Sequence, residues 1–152
     1  MNDLYGWTGD ILWVDLSTGA VRKLDTRAYA ETYIGGRGIQ ARLAWDEMPA
    51  GIGAFDERNL LTFFPGPLTG TTAPFSGRTN VAGHAPQGYP HEWFSRANFG
   101  GHWGPELKFA GYDGLVVSGA SERPVYLWID SARVELRDAS GLWGQGILAT
   151  QR

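Results

Sequence analysis

The chain has 152 residues, 43% of them hydrophobic, and 13 basic against 16 acidic side chains leave a formal charge of −3. That length suits one domain, 1–152, able to bury roughly 70% of the surface its unfolded form exposes, and the acidic balance gives no electrostatic footprint for a nucleic-acid partner. Cysteine is absent, which excludes disulfides, thiolate zinc and any iron–sulfur cluster ligated by this chain itself.

The opening "MNDLYGWTGDILWVDL" lacks the charged, apolar and small-residue regions of a secretory signal. No apolar run approaches the roughly 20 residues that span a bilayer. The expected location is cytoplasmic, without a membrane partner. With 22 glycines and eight prolines, a helix-dominated fold is disfavoured.

Along the chain, "GDILWVDLSTGAVRKLD" (9–25) alternates, turns at Ser17-Thr18-Gly19 and returns, as a β-hairpin does. Asp25 and Thr26 offer N-caps to a helix over "RAYAETYI". "GGRG" (35–38) breaks it, and "IQARLAWDEM" reads as a second helix ended by Pro49. "NLLTFFPG" (59–66) and "GLVVSG" (114–119) read as buried strands, and "PVYLWID" with "RVELRD" as a second hairpin around Ser131-Ala132. Short-turn strand pairs with inserted helices define an α+β class. Residues 65–105, with six of the eight prolines and all three histidines, read poorly as regular structure, which points to a functional loop or to missed elements.

Two stretches carry candidate chemistry. "GPLTGTTAPFSGRTN" (66–80) has the composition of an anion cradle: main-chain donors, hydroxyls and the fixed guanidinium fork of Arg78. The alternative is a turn-rich surface loop with a salt-bridged arginine. In "FSRANFGGHWGPELKFAGYDG" (94–114), Asn98 with Gly100, Gly101 and Gly104 could face a flat polar ligand such as a pterin, or form a glycine-lined turn packed under an aromatic. From 66 to 111 the acids are Glu92 and Glu106, against Arg78, Arg96 and Lys108. "GGRG" could be an anion nest at a helix start, but reads first as a pivot. His84, His91 and His102 match no helical pairing and lack cysteine partners.

"GWTGDILWVDLSTG", "GGRG", "FDERNLLTFFPGPLTGTTAPFSGRTN", "GGHWGPELKFAGYDGLVVSGASERPVYLWID" and "ELRDASGLWG", from Gly6 to Gly144, resemble in order and spacing the amino-terminal domain of the tungsten-containing aldehyde ferredoxin oxidoreductase family. The resemblance implies two antiparallel β-sheets with a few inserted helices, forming a base for a tungsten ion held by two pterins (tungstopterin, the tungsten relative of molybdopterin). By motif, the cofactor-binding residues are Arg78, Asn98 and Gly100, with a bridging magnesium near Asn98. No residue of this chain is implied as a catalytic group or a ligand of the tungsten.

Family members run several times longer than this chain. Their later domains supply the 4Fe-4S cysteines, the second pterin surface and the proton-transfer residues. The chain is therefore expected to be the tungstopterin-binding domain or subunit of an aldehyde oxidoreductase that passes electrons through an iron-sulfur cluster to ferredoxin, inactive alone. Its expected partners are the remaining domains or subunit, with self-association of the open face. The alternative is a non-catalytic scaffold that keeps the fold without cofactor. "GHAPQGYPHEWFSR" (83–96) departs from the family pattern through the bulk of His91, Trp93 and Phe94.

Overall fold

A computed structural model describes residues 5–151. The first hairpin forms as its alternation requires: β1 (Asp10–Asp15) pairs antiparallel with β2 (Val21–Asp25). All four residues Ile11–Val14 are buried, because β1 lies inside the sheet with both faces covered. α1 (Arg27–Tyr33) follows with Thr26 at its N-cap, but the Thr26 hydroxyl does not cap. It donates instead to Asp113 Oδ2 (2.7 Å), and Asp25 Oδ1 accepts the Arg27 N–H (2.8 Å).

"GGRG" separates the two helices as expected, with the break at Ile34–Gly35, but the second helix begins earlier than Ile39. α2 (Gly36–Glu47) starts inside it, with Gly35 at the N-cap. The reason is close approach: a Cβ on Gly36 would stand 2.6 Å from Phe64 Cβ and 2.8 Å from the Pro65 carbonyl oxygen. A glycine there lets the first turn of α2 lie directly on β3 (Leu61–Pro65).

The larger correction is in the middle. Two of the elements missing from residues 65–105 are strands, β4 (Thr79–Ala85) and β5 (Trp93–Phe99), paired antiparallel over seven positions. "TNVAGHA" and "WFSRANF" hide from a periodicity search because the ribbon is only partly covered, so neither face carries a continuous apolar row. α3 (Trp103–Phe109), β6 (Tyr112–Ser118) and the amphipathic hairpin β7 (Val125–Asp130) and β8 (Arg133–Asp138) complete the main elements, before a one-turn helix α4 (Ile147–Thr150).

The fold is α+β with two sheets. Six strands run in the order β2-β1-β6-β3-β4-β5, and β7-β8 form the second sheet. The larger sheet is mixed, since β1 and β6 are parallel while the other pairs are antiparallel. α2 packs Ile39 and Leu43 against Ile11, Trp13, Phe64 and Val116 on one face. On the other, α3 and the β7–β8 hairpin cover Leu12, Val14, Tyr112 and Leu115. α2 reaches the ribbon at Asn80 and α3 at Thr79 and Phe99, while most of β5 is left exposed as an open ledge.

"ELKFAGYDG" is a structural lock. Lys108 and Asp113 form an ion pair (2.5 Å) with side chains 7% and 0% exposed. Asp113 also accepts the Thr8 and Gly9 main-chain N–H groups (both 2.8 Å), and Lys108 donates to the Gly6 carbonyl (2.7 Å). The motif ties the N-terminal segment, α1, α3 and β6 together at one point. No helix of the described residues is long and apolar enough to cross a membrane.

Candidate functional site

The register of β4 and β5 sets the site. Asn80 lies directly opposite Asn98, and Asn80 Nδ2 donates to Asn98 Oδ1 (2.9 Å). Strand side chains repeat every two residues on one face, so Asn80, Ala82, Arg96 and Asn98 share the face toward α2. Arg78 immediately precedes β4, two residues from Asn80, and Gly100 immediately follows β5. Both flank the last pair of the ladder, Thr79 opposite Phe99. The three residues singled out from sequence therefore meet at one end of one ribbon.

Arg78 is exposed, and among the described residues no carboxylate pairs with it. The expectation of a salt-bridged loop arginine is set aside. The loop before it is also less of a cradle than its composition promised. Thr69 Oγ1 accepts the Gly66 N–H and donates to the Ser76 carbonyl, Thr71 donates to Leu68, and the Ser76 hydroxyl lies within hydrogen-bond distance of the Leu68 and Ala73 carbonyls. These hydroxyls brace the loop and leave Arg78 as its outward donor.

Gly100 and Gly101 are not packed under an aromatic. A Cβ built on either would meet nothing within 4 Å, and Gly101 has φ +92°. Trp103 stacks below, edge-on to Phe99 at 5.6 Å and tilted to Phe63 at 5.4 Å. Bare backbone thus lies open beside the Asn98 amide.

Gln40 and Asn80 were missing from the sequence reading. Gln40, on α2, is 1% exposed; its Nε2 faces the Thr62 carbonyl (3.0 Å), Thr62 Oγ1 (3.0 Å) and the Asn80 carbonyl (3.1 Å). Its Oε1 is buried with no donor, and so is Asn80 Oδ1. Turning both amides of the Asn80–Asn98 pair would only exchange the orphan, leaving the Asn80 nitrogen unpaired. A buried polar atom without a partner costs about 1–3 kcal/mol, and these two stand within a polar wall formed by Gln40 and Asn80. The one available signal was a lone glutamine on the apolar side of a helix.

The wall bounds a hollow of about 810 Å³ between α2 and the β4–β5 ribbon, lined also by Arg37, Arg96, Trp93 and Phe94. Trp93 and Phe94, marked as departures, are part of this wall. The histidines do not gather: His84 sits in β4, His91 in the β4–β5 connection and His102 at the N-cap of α3. Among the described residues no group of three or more metal-ligating side chains forms.

The fold is that of an oxidoreductase amino-terminal domain. Residues 11–152 match the family model described as aldehyde ferredoxin oxidoreductase, N-terminal domain, and the chain belongs to that family. It is 44% identical over 149 residues to the tungsten-containing aldehyde ferredoxin oxidoreductase of Thermococcus kodakarensis, covering 97% of this chain and 24% of that protein. The aliphatic sulfonate oxidoreductase, WOR-like subunit, of Pyrococcus furiosus is 32% identical over 147 residues, 94% of this chain and 23% of the relative. Among solved structures, the active site complex BamBC of benzoyl coenzyme A reductase in complex with 1,5 dienoyl-CoA superposes with a TM-score of 0.90 at 40% identity, over 97% of this chain and 22% of that one. The chain spans about a quarter of the length of these relatives.

Proposed function

We propose that this chain is the cofactor-supporting part of a tungsten-dependent aldehyde oxidoreductase, with a bis-pterin tungsten group resting on the open ledge at the end of β4–β5. The observation that carries the reading is the unpaired Arg78 beside the Asn80–Asn98 amide pair and the open glycine backbone at Gly100. Membership of a family whose similar relatives are tungsten-containing enzymes gives the metal.

The donor set fits a phosphorylated, hydrogen-bonding heterocycle. Arg78 offers a planar fork of donors to a phosphate. Asn98 has its oxygen engaged by Asn80 and its nitrogen available to a ring acceptor, while Gly100 lets the ligand approach the main chain. A magnesium ion bound with the cofactor would lie near Asn98. When bound, the group supplies the two-electron oxidation of an aldehyde and water to a carboxylic acid, two protons and two electrons. This chain positions and does not itself transfer the proton or the electrons. The remaining domains or subunit hold the 4Fe-4S cluster through which electrons leave to ferredoxin.

The test is tungsten and pterin content of the assembled enzyme containing this chain. The intact protein should carry both, and Arg78→Ala together with Asn98→Ala should lower both without unfolding it. Unchanged content in the folded double variant favours the scaffold instead, as does an assembly with neither tungsten nor pterin.

A further inference from the structure

The hollow between α2 and the β4–β5 ribbon has a charge pattern that the cofactor reading does not use. Its charged lining consists of Arg37 and Arg96, with no carboxylate. Among the described residues neither arginine takes part in an ion pair. Arg96 lies two residues from Asn98 on the same face of β5 and opposite Ala82, and Arg37 stands in the first turn of α2, whose N-cap Gly35 supplies no side-chain acceptor. Two guanidiniums and a helix N-terminus facing one hollow raise its potential.

The second mark is aromatic: Trp93 and Phe94, 54% and 37% exposed, line the hollow beside the arginines, over a polar floor to which Gln40 and Asn80 belong. The hollow's size falls in the range of small-molecule sites, roughly 300–1,000 Å³.

We propose that this hollow is an oxyanion subsite: Arg37 and Arg96 bind a carboxylate, sulfonate or phosphate group of an organic ligand whose apolar part lies along Trp93 and Phe94. Resting on the cofactor reading for its placement, the subsite holds the anionic end of an acidic aldehyde while the Asn80–Asn98 pair marks the side facing the cofactor ledge. Guanidinium forks match planar and tetrahedral oxyanions equally. The same chemistry could come from a phosphate of the cofactor, and the two sources are separable.

Succinate and inorganic phosphate are titrated into the 152-residue chain at fixed ionic strength, with calorimetry and tryptophan fluorescence as readouts. Arg37→Met and Arg96→Met should each weaken binding by about tenfold, the loss of a charge-assisted contact. Arg123→Met, which lines a separate groove, should leave it unchanged, and all three variants should keep the wild-type circular dichroism. Absence of saturable binding, or equal weakening by all three, overturns the subsite.

In the assembled enzyme, Arg96→Met assigns the source. Retained tungsten and pterin with KM raised for succinate semialdehyde, but not for butanal, gives the oxyanion to the substrate; lost cofactor gives it to the cofactor's phosphate. Retained cofactor with KM unchanged for both aldehydes overturns the subsite in the enzyme. Should Arg78→Ala and Asn98→Ala leave cofactor content intact, the cofactor reading fails while the titration still decides the subsite.

Discussion

Asp113→Asn is expected to destabilise the chain far more than an isosteric change usually does. Asp113 Oδ1 accepts from Thr8 N and Lys108 Nζ, and Oδ2 from Gly9 N and the Thr26 hydroxyl. An asparagine with its NH₂ in place of Oδ1 confronts the Thr8 N–H and Lys108, and with its NH₂ in place of Oδ2 confronts the Gly9 N–H. Either way the buried Lys108 charge loses its carboxylate and is left with neutral oxygens such as the Gly6 carbonyl. Removing one partner of a buried pair costs about 3–5 kcal/mol, against a total stability of roughly 5–15 kcal/mol for a domain. At about 2–4 °C per kcal/mol for a chain of this size, the melting temperature should fall by about 10 °C. Thermal unfolding followed by circular dichroism and tryptophan fluorescence measures it. Adding Lys108→Met to Asp113→Asn should recover part of the loss, because it removes the stranded cation. A single variant melting within about 2 °C of wild type would refute the lock.

Other consequences are as concrete. Gly36→Ala should cost about 1–3 kcal/mol by overpacking, since its new methyl group meets Phe64 Cβ and the Pro65 carbonyl; unchanged urea unfolding would count against the close approach of α2. Gln40→Leu should destabilise by about 1 kcal/mol or more, because it takes the donor from Thr62 and Asn80, and chemical denaturation reads this directly. Asp56 has its pKa lowered to about 2 by the Arg58 guanidinium and main-chain N–H. A depressed carboxylate stabilises above its unfolded value and loses that contribution as pH falls through the folded one. The stability difference between wild type and Asp56→Asn should therefore shrink from about pH 4 to about pH 2, and a difference flat across that window contradicts the Asp56–Arg58 contact. Phe75 and Phe109 are 103% and 67% exposed; sedimentation should show concentration-dependent self-association that Phe75→Ser with Phe109→Ser reduces, and a monomer at all concentrations would oppose it.

The two hairpins near the chain ends were legible for different reasons: the first from its turn at Ser17-Thr18-Gly19 between apolar runs, although β1 is buried on both faces, and the second from the alternation of β7. β4 and β5 were not, because an open ledge suspends the rule that strand faces be apolar, and its Asn80, Arg96 and Asn98 lie on a partly open face rather than in a core. The same suspension made Arg78, Asn98 and Gly100 visible as oddities. Gln40 stayed hidden, since its helix places a buried amide where periodicity expects a hydrocarbon. The lock was quoted as a motif without its purpose: Lys108 and Asp113 stand five residues apart, and only the turn from α3 into β6 brings them face to face. "GGRG" gave the break between the helices but not the start of α2, because glycine signals a break by propensity and also permits the close approach that puts Gly36 in the first turn.

The central claim is that the metal group rests on the α2-side face of the β4–β5 end. Anomalous diffraction at the tungsten absorption edge, on crystals of the assembled enzyme, tests it most directly. The account requires a peak over that face, with density joining it to Arg78 and Asn98. A peak on the α3 side of the sheet, or a tungsten site with neither side chain touching its ligand, contradicts it.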